Sequence, residues 1–138
     1  MADIVKRIEY YYTTVPDRSG AGAKVLKELT AAHVNLLALS AFPSGTGRSQ
    51  IDLIPSNKRK FLAAMRKAKI NLVGPKIAFL IQGQDRVGAT TDIAKKLADA
   101  HINVTAMDAV TAGRRRYGAI LWVKSRYVDQ VSKILGAS

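Results

Sequence analysis

The chain has 138 residues, 48% hydrophobic and 23% charged, with no cysteine and 22 basic against 10 acidic side chains. That balance excludes an intrinsically disordered chain, and the absence of thiols excludes disulfides and cysteine-based catalysis or metal ligation. The formal charge of +12 is shared, with 12 basic and 5 acidic groups in residues 1–72 and 10 and 5 in residues 73–138; such a surface favours polyanions on approach or simply stays well solvated.

Val5 to Val15 is β-branched and aromatic and is closed by Pro16, which predicts a strand. Ile8, Tyr10 and Tyr12 alternate along one face, Tyr11 and Val15 along the other, so both faces are expected to be covered. Asp17 to Gly20 reads as a turn into a helix over 21–32, with Val25, Leu26, Leu29 and Ala32 at helical spacing. His33 breaks that pattern. A strand from Leu36 to Phe42, a hairpin connection over 43–47 and a strand from Arg48 to Ile54 follow. Lys58 to Lys69 reads as a helix that turns Phe61, Leu62 and Met65 inward, and Ile70 to Val73 as a short last strand. The same order then recurs. Lys76 to Ile81 is a strand, and a helix from Ala89 carries Ile93, Leu97 and Ala100. Val104 to Val110, a basic hairpin over 111–115 and Arg116 to Lys124 form a strand pair, and Tyr127 to Leu135 is a helix. No final strand follows it, so the N-terminal stretch or a strand of the first unit is expected to fill that place.

The recurrence is also one of residues. Sliding 17–39 over 85–107, an offset of 68, gives ten identities in 23 positions: Asp, Arg, Gly, Ala, Lys, Leu, Ala, His, Asn and Ala. That period is too long for a solenoid unit and suits a small domain duplicated in tandem. Two domains, 1–72 and 73–138, are expected, each an α+β split βαβ unit (βαββαβ) with an antiparallel sheet and helices on one face. No apolar run approaches a membrane span, and Met1 to Tyr10 lacks the core of a signal peptide, so a cytoplasmic protein is expected.

Gly20 and Gly88 stand where a strand hands over to a helix, where glycine permits a tight turn and close approach of a ligand. The first helical amides lack intrahelical partners and carry partial positive charge, so a carboxylate or phosphate is well accommodated there. Asp17 and Asp85 can receive an ammonium group. Asn35 and Asn103 begin a strand expected to run beside the first, which would bring their amides near the turn. A zwitterionic amino acid matches that set. The alternative is purely local: Asp as helix N-cap, Gly as turn, Asn as helix terminator.

With its turn Asp-Arg-x-Gly-Ala, an amphipathic helix, and then Ala-His-Ile/Val-Asn, the sequence resembles the ACT domain over nearly its whole length, as two tandem copies. The resemblance implies a ferredoxin-like fold that pairs side by side or face to face. It also implies binding of a small effector, most often an amino acid, where two domains meet. The residues it assigns to the ligand are Asp17, Ser19, Gly20, Ala21 and Asn35 in the first copy, and Asp85, Val87, Gly88, Ala89 and Asn103 in the second. Some serine-binding members place a His two residues before the turn's Asp or Asn; Val15 and Gly83 occupy those positions here, which argues against serine. No enzyme is attached, so the chain resembles a stand-alone ACT–ACT regulator. Such a protein would form a homodimer and act in trans on a protein partner.

His33 and His101 are the only histidines and read as helix-end residues; no metal site, cofactor or acid–base pair is indicated, and an enzyme is not expected. The rival is RNA binding: Arg115 to Trp122 partly matches the ribonucleoprotein octamer of RNA-recognition motifs, which share the βαββαβ layout. Arg116 and Ala119 depart from that octamer, and Ala119 removes a base-stacking aromatic. The run Arg114–Arg116 would contact phosphates or keep its hairpin solvated. A dimerising adaptor with vestigial sites is a third reading.

Overall fold

The computed structural model describes residues 3–138. Its strands are β1 (Ile4–Pro16), β2 (Leu36–Pro43), β3 (Arg48–Pro55), β4 (Val73–Gln84), β5 (Ala106–Thr111) and β6 (Arg116–Trp122). Its helices are α1 (Ala21–Ala31), α2 (Lys58–Lys67), α3 (Thr91–Asp99) and α4 (Val128–Leu135). Residues 10–76 form one compact unit and residues 3–9 with 77–138 the other, so β1 and β4 each contribute to both.

In the 10–76 unit the strand order is β2-β3-β1-β4. β3 runs antiparallel to both neighbours, with Tyr11 opposite Leu53 and Pro16 opposite Arg48 on one side, and Leu36 opposite Pro55 and Pro43 opposite Ser49 on the other. Alternation puts Tyr11, Ile51 and Leu53 on one face, where they pack with Val25 and Leu29 of α1 and Phe61, Ala64 and Met65 of α2. The rings of Tyr11 and Phe61 are 5.4 Å apart. α2 begins at an Asn57 cap whose side chain accepts the Lys60 amide at 3.1 Å, satisfying an otherwise unpartnered donor.

The other unit repeats this arrangement in the order β1-β4-β6-β5. β6 is antiparallel to β4 (Phe79 opposite Leu121, Gln84 opposite Arg116) and to β5 (Ala106 opposite Trp122). Phe79, Ile81, Tyr117, Ala119 and Leu121 pack with Ile93 and Leu97 of α3 and Val128 and Val131 of α4. The fourth-strand place is taken by the start of β1. Val5 lies in this core, and the backbone of Val5 and Arg7 exchanges hydrogen bonds with Ser138 at 3.1 and 3.0 Å. Arg7 also pairs with Asp129 at 2.8 Å. The fold is thus α+β, two ferredoxin-like βαββαβ units.

Several boundaries differ from those the sequence suggests, three of them beside the strand-to-helix turns or the central strands. The strand expected over 70–73 begins only at Val73 and runs on through the one expected over 76–81 as β4, while the Ile70 amide is consumed by the Met65 carbonyl in closing α2. α3 starts at Thr91, not Ala89, since residues 87–90 are spent on a turn in which Thr91 N bonds to Gly88 O. β5 starts at Ala106, two residues later than its apolar pattern suggested.

The helix ends explain both histidines. After α1, His33 N donates to Thr30 O at 3.0 Å and Val34 N to Leu29 O at 2.9 Å; after α3, His101 N donates to Ala98 O and Ile102 N to Leu97 O, both at 2.9 Å. This is the Schellman pattern, which needs a left-handed residue, and His33 and His101 both have φ 58°. Among the described residues, no helix is long and apolar enough to cross a membrane.

Candidate functional site

Each unit presents a turn between its central strand and its first helix. In the 10–76 unit the Asp17 amide is fixed to Gly47 O at 2.9 Å; in the other unit the Asp85 amide is fixed to Arg115 O at 2.8 Å. The turns are therefore held by equivalent hairpins. Gly20, at φ 87°, precedes α1, and Gly88, at φ 77°, lies within the turn into α3. Among the described residues no side chain caps either helix, so Asp17 and Asp85 are not N-caps. Asp17 instead accepts the Ser49 hydroxyl at 3.2 Å. A Cβ at Gly20 would meet nothing within 4 Å, so the space above that turn is open. Asp17, Ser19 and Gly20 are exposed and Ala21 half-buried; Asp85, Val87 and Gly88 are exposed and Ala89 is buried.

The asparagines do not join these turns within a unit. β3 lies between β1 and β2, and β6 between β4 and β5, so the strand that Asn35 or Asn103 opens is not beside the first. Asn35 sits at the far end of α1: its carbonyl accepts the Ser56 amide at 3.0 Å and the Ser56 hydroxyl at 3.1 Å. An eleven-residue helix puts about 16 Å between that end and the Gly20 turn. The expectation failed because strand order depends on long-range pairing, which local pattern does not carry.

The turn of the 77–138 unit carries side chains that the repeat did not single out. The Tyr117 hydroxyl donates to the Asp3 carboxylate at 2.8 Å, and Arg86 lies against the same carboxylate at 3.4 Å while donating to Gln84 O at 2.9 Å. Burial, and then this bond to Asp3, push the Tyr117 phenol up to about 12. The Asp3 bond also raises the Arg86 guanidinium, keeping it charged. A Cβ at Gly83 would collide with the Asp3 carboxylate, so only glycine leaves room for it. In the first copy Val15, Arg18 and Ser49 stand at the positions of Gly83, Arg86 and Tyr117. The sequence signal for these residues was weak. Arg86 belongs to the repeated Asp-Arg-x-Gly, Gly83 was noted only for lacking a His, and Tyr117 looked like part of an RNA-binding octamer. Its burial at 4% exposure, on the helix-packed face, withdraws Tyr117 from base stacking. Among the described residues, no group of three or more His, Asp or Glu is placed to hold a metal ion.

Tandem βαββαβ units, each with a glycine turn from central strand to first helix, define a duplicated ferredoxin-like architecture. The solved structures it is similar to agree. A protein from Bacteroides thetaiotaomicron superposes with a TM-score of 0.80 at 16% identity, covering 97% of this chain and 88% of that one. The regulatory subunit of aspartate kinase from Thermus thermophilus, in its ligand-free form, gives 0.66 at 15% identity over 99% and 95% of the two chains. The corresponding subunit from Thermus flavus gives 0.65 at 12% over 99% and 95%. At these identities the likeness is one of fold. No protein-family model and no curated protein matches the sequence.

Proposed function

We propose that this chain is a non-catalytic regulatory protein that binds an amino acid as effector at its strand-to-helix turns and acts in trans on a partner protein. The observation that carries this reading is the pair of turns at Gly20 and Gly88, each leading to a helix no side chain caps, in a fold shared with regulatory subunits of aspartate kinase. The helix amides suit the effector's carboxylate and Asp17 or Asp85 its ammonium group. Each duplicated domain, 1–72 and 73–138, carries one such turn. The Asn35 and Asn103 amides reach a ligand only from another ACT domain, because each lies a helix length from the turn of its own unit. Exposed Leu37, Leu39 and Phe42 on β2, an edge strand of its unit, support a homodimer. A cytoplasmic setting suits a chain without cysteine. Signalling energy comes from the effector's preference for one arrangement of domains over another.

A thermal-shift screen of the purified protein against the twenty amino acids tests this. Ligand at about 100 times its dissociation constant adds about 2.7 kcal/mol, which moves the midpoint by several degrees. A shift with one or two amino acids supports the reading and names the effector. No shift with any of them removes it.

A further inference from the structure

Three features of the Asp3 contact go beyond a tether for the chain's beginning. First, Asp3 lies outside β1, whose start is held without it by Val5 in the core, by the Ser138 backbone and by the Arg7–Asp129 pair. Second, the Asp3 side chain is only 14% exposed, seated in a space that exists because position 83 is glycine; Tyr117 Cε1 borders the same space, 3.0 Å from where a Cβ would stand. Third, the groups around it, a guanidinium and a phenol hydroxyl, are donors that suit a carboxylate. The first copy, with Val15 and Ser49 in place of Gly83 and Tyr117, lacks both the space and the phenol.

We propose that Gly83, Arg86 and Tyr117 form a carboxylate-binding pocket in which Asp3 is an internal occupant, displaced when the carboxylate of a free ligand takes its place. The exchange is balanced. Tyr117 is nearly buried, and a hydroxyl left unpartnered there would be costly; trading one carboxylate for another never leaves it so. Arg86 is 40% exposed on its side chain, so the pocket opens to solvent beside its cation. Only the residue before β1 has to swing away. Because Asp3 competes for the site, the apparent affinity for a free carboxylate is reduced by the fraction of molecules with the pocket open. The identity of the natural ligand as an amino acid rests on the function proposed above; the pocket itself does not.

The test uses sodium acetate as the bare carboxylate, with sodium chloride at equal ionic strength as control. Binding is followed through the amide resonances of Gly83, Arg86 and Tyr117. Asp3→Ala is expected to saturate at about tenfold lower acetate than the natural chain. Asp3→Asn, which keeps the shape and loses the charge, is expected to fall between them. Adding Tyr117→Phe to Asp3→Ala is expected to remove the gain. Equal acetate responses in Asp3→Ala and the natural chain, or a gain that survives Tyr117→Phe, would overturn the proposal. An amino acid that moves the Gly83, Arg86 and Tyr117 resonances at the same concentration in the natural chain and in Asp3→Ala also overturns it, while leaving the sensor standing. If no amino acid binds either protein but acetate behaves as expected, the pocket stands and the amino-acid reading falls.

Discussion

A Cβ placed on Gly74 would lie 2.8 Å from Cδ2 of Tyr11 and 2.9 Å from the Tyr10 carbonyl oxygen. Gly74 also has φ 139°, a conformation L side chains rarely adopt. Both facts serve one purpose: β4 enters the 10–76 unit hard against the β1 backbone, over the ring that packs on Phe61. Gly74→Ala should therefore cost about 2–4 kcal/mol, from backbone strain and overpacking together. Urea unfolding measures this directly. A loss below about 1 kcal/mol would mean the two strands are less closely apposed than described.

His33 and His101 make the opposite case. Both occupy the left-handed position that ends a helix, and glycine holds that position at lower backbone cost. Glycine also loses more freedom on folding, which offsets part of the gain. His33→Gly and His101→Gly should each stabilise by about 0.5 kcal/mol, and His33→Val should destabilise by about 1 kcal/mol. Destabilisation by either glycine substitution would show that the imidazole makes a contact the helix-end role does not require.

These residues also mark how far the sequence could be read. The order of strands and helices was legible because period-2 and period-3.6 patterns are local, and the duplication was legible because equivalent turns kept equivalent residues. The histidines were correctly placed at helix ends for the same reason. Strand adjacency was not legible: that β3 separates β1 from β2 follows from pairing Tyr11 with Leu53, more than forty residues on. Nor was the Asp3–Tyr117 bond, which joins residues 114 apart and needs Gly83 to make room. The turns themselves were visible, but the asparagines were joined to them by an assumed adjacency that the sheet does not have.

Asp52 supplies a pH-dependent test. It is buried at 5% exposure on β3, and burial raises its carboxyl above the ordinary 3.8 despite the Gln50 amide donated to it at 2.8 Å and the nearby Lys76. A raised carboxyl binds its proton more tightly when folded. Its contribution to stability is thus full below about pH 3.8 and is lost as pH rises through the folded value. Asp52→Asn keeps an oxygen to accept from Gln50 and cannot ionise. The stability of Asp52→Asn relative to the natural chain should therefore increase between about pH 3 and about pH 7. Unfolding curves that stay parallel over that range would show that Asp52 titrates normally in the fold.

The last prediction separates the turn from the asparagine. A ligand the size of an amino acid cannot span the roughly 16 Å of α1 between Gly20 and Asn35, and the repeat gives Gly88 and Asn103 the same relation. If each site is completed by a second copy of the chain, Asn103→Ala will weaken effector binding by about tenfold, for a lost hydrogen bond of about 1.4 kcal/mol, and Gly88→Ala will weaken it by setting a methyl group where the ligand approaches the backbone. Gly88→Ala also carries a stability cost of about 1 kcal/mol from its positive φ, so affinity has to be measured by calorimetry well below the melting midpoint. Asn103→Ala, at an exposed position, should leave stability unchanged. Loss in Gly88→Ala with full affinity in Asn35→Ala and Asn103→Ala would confine the site to the turn and remove the asparagines from it. Full affinity in every one of these variants, Gly20→Ala included, would move the effector away from the turns altogether.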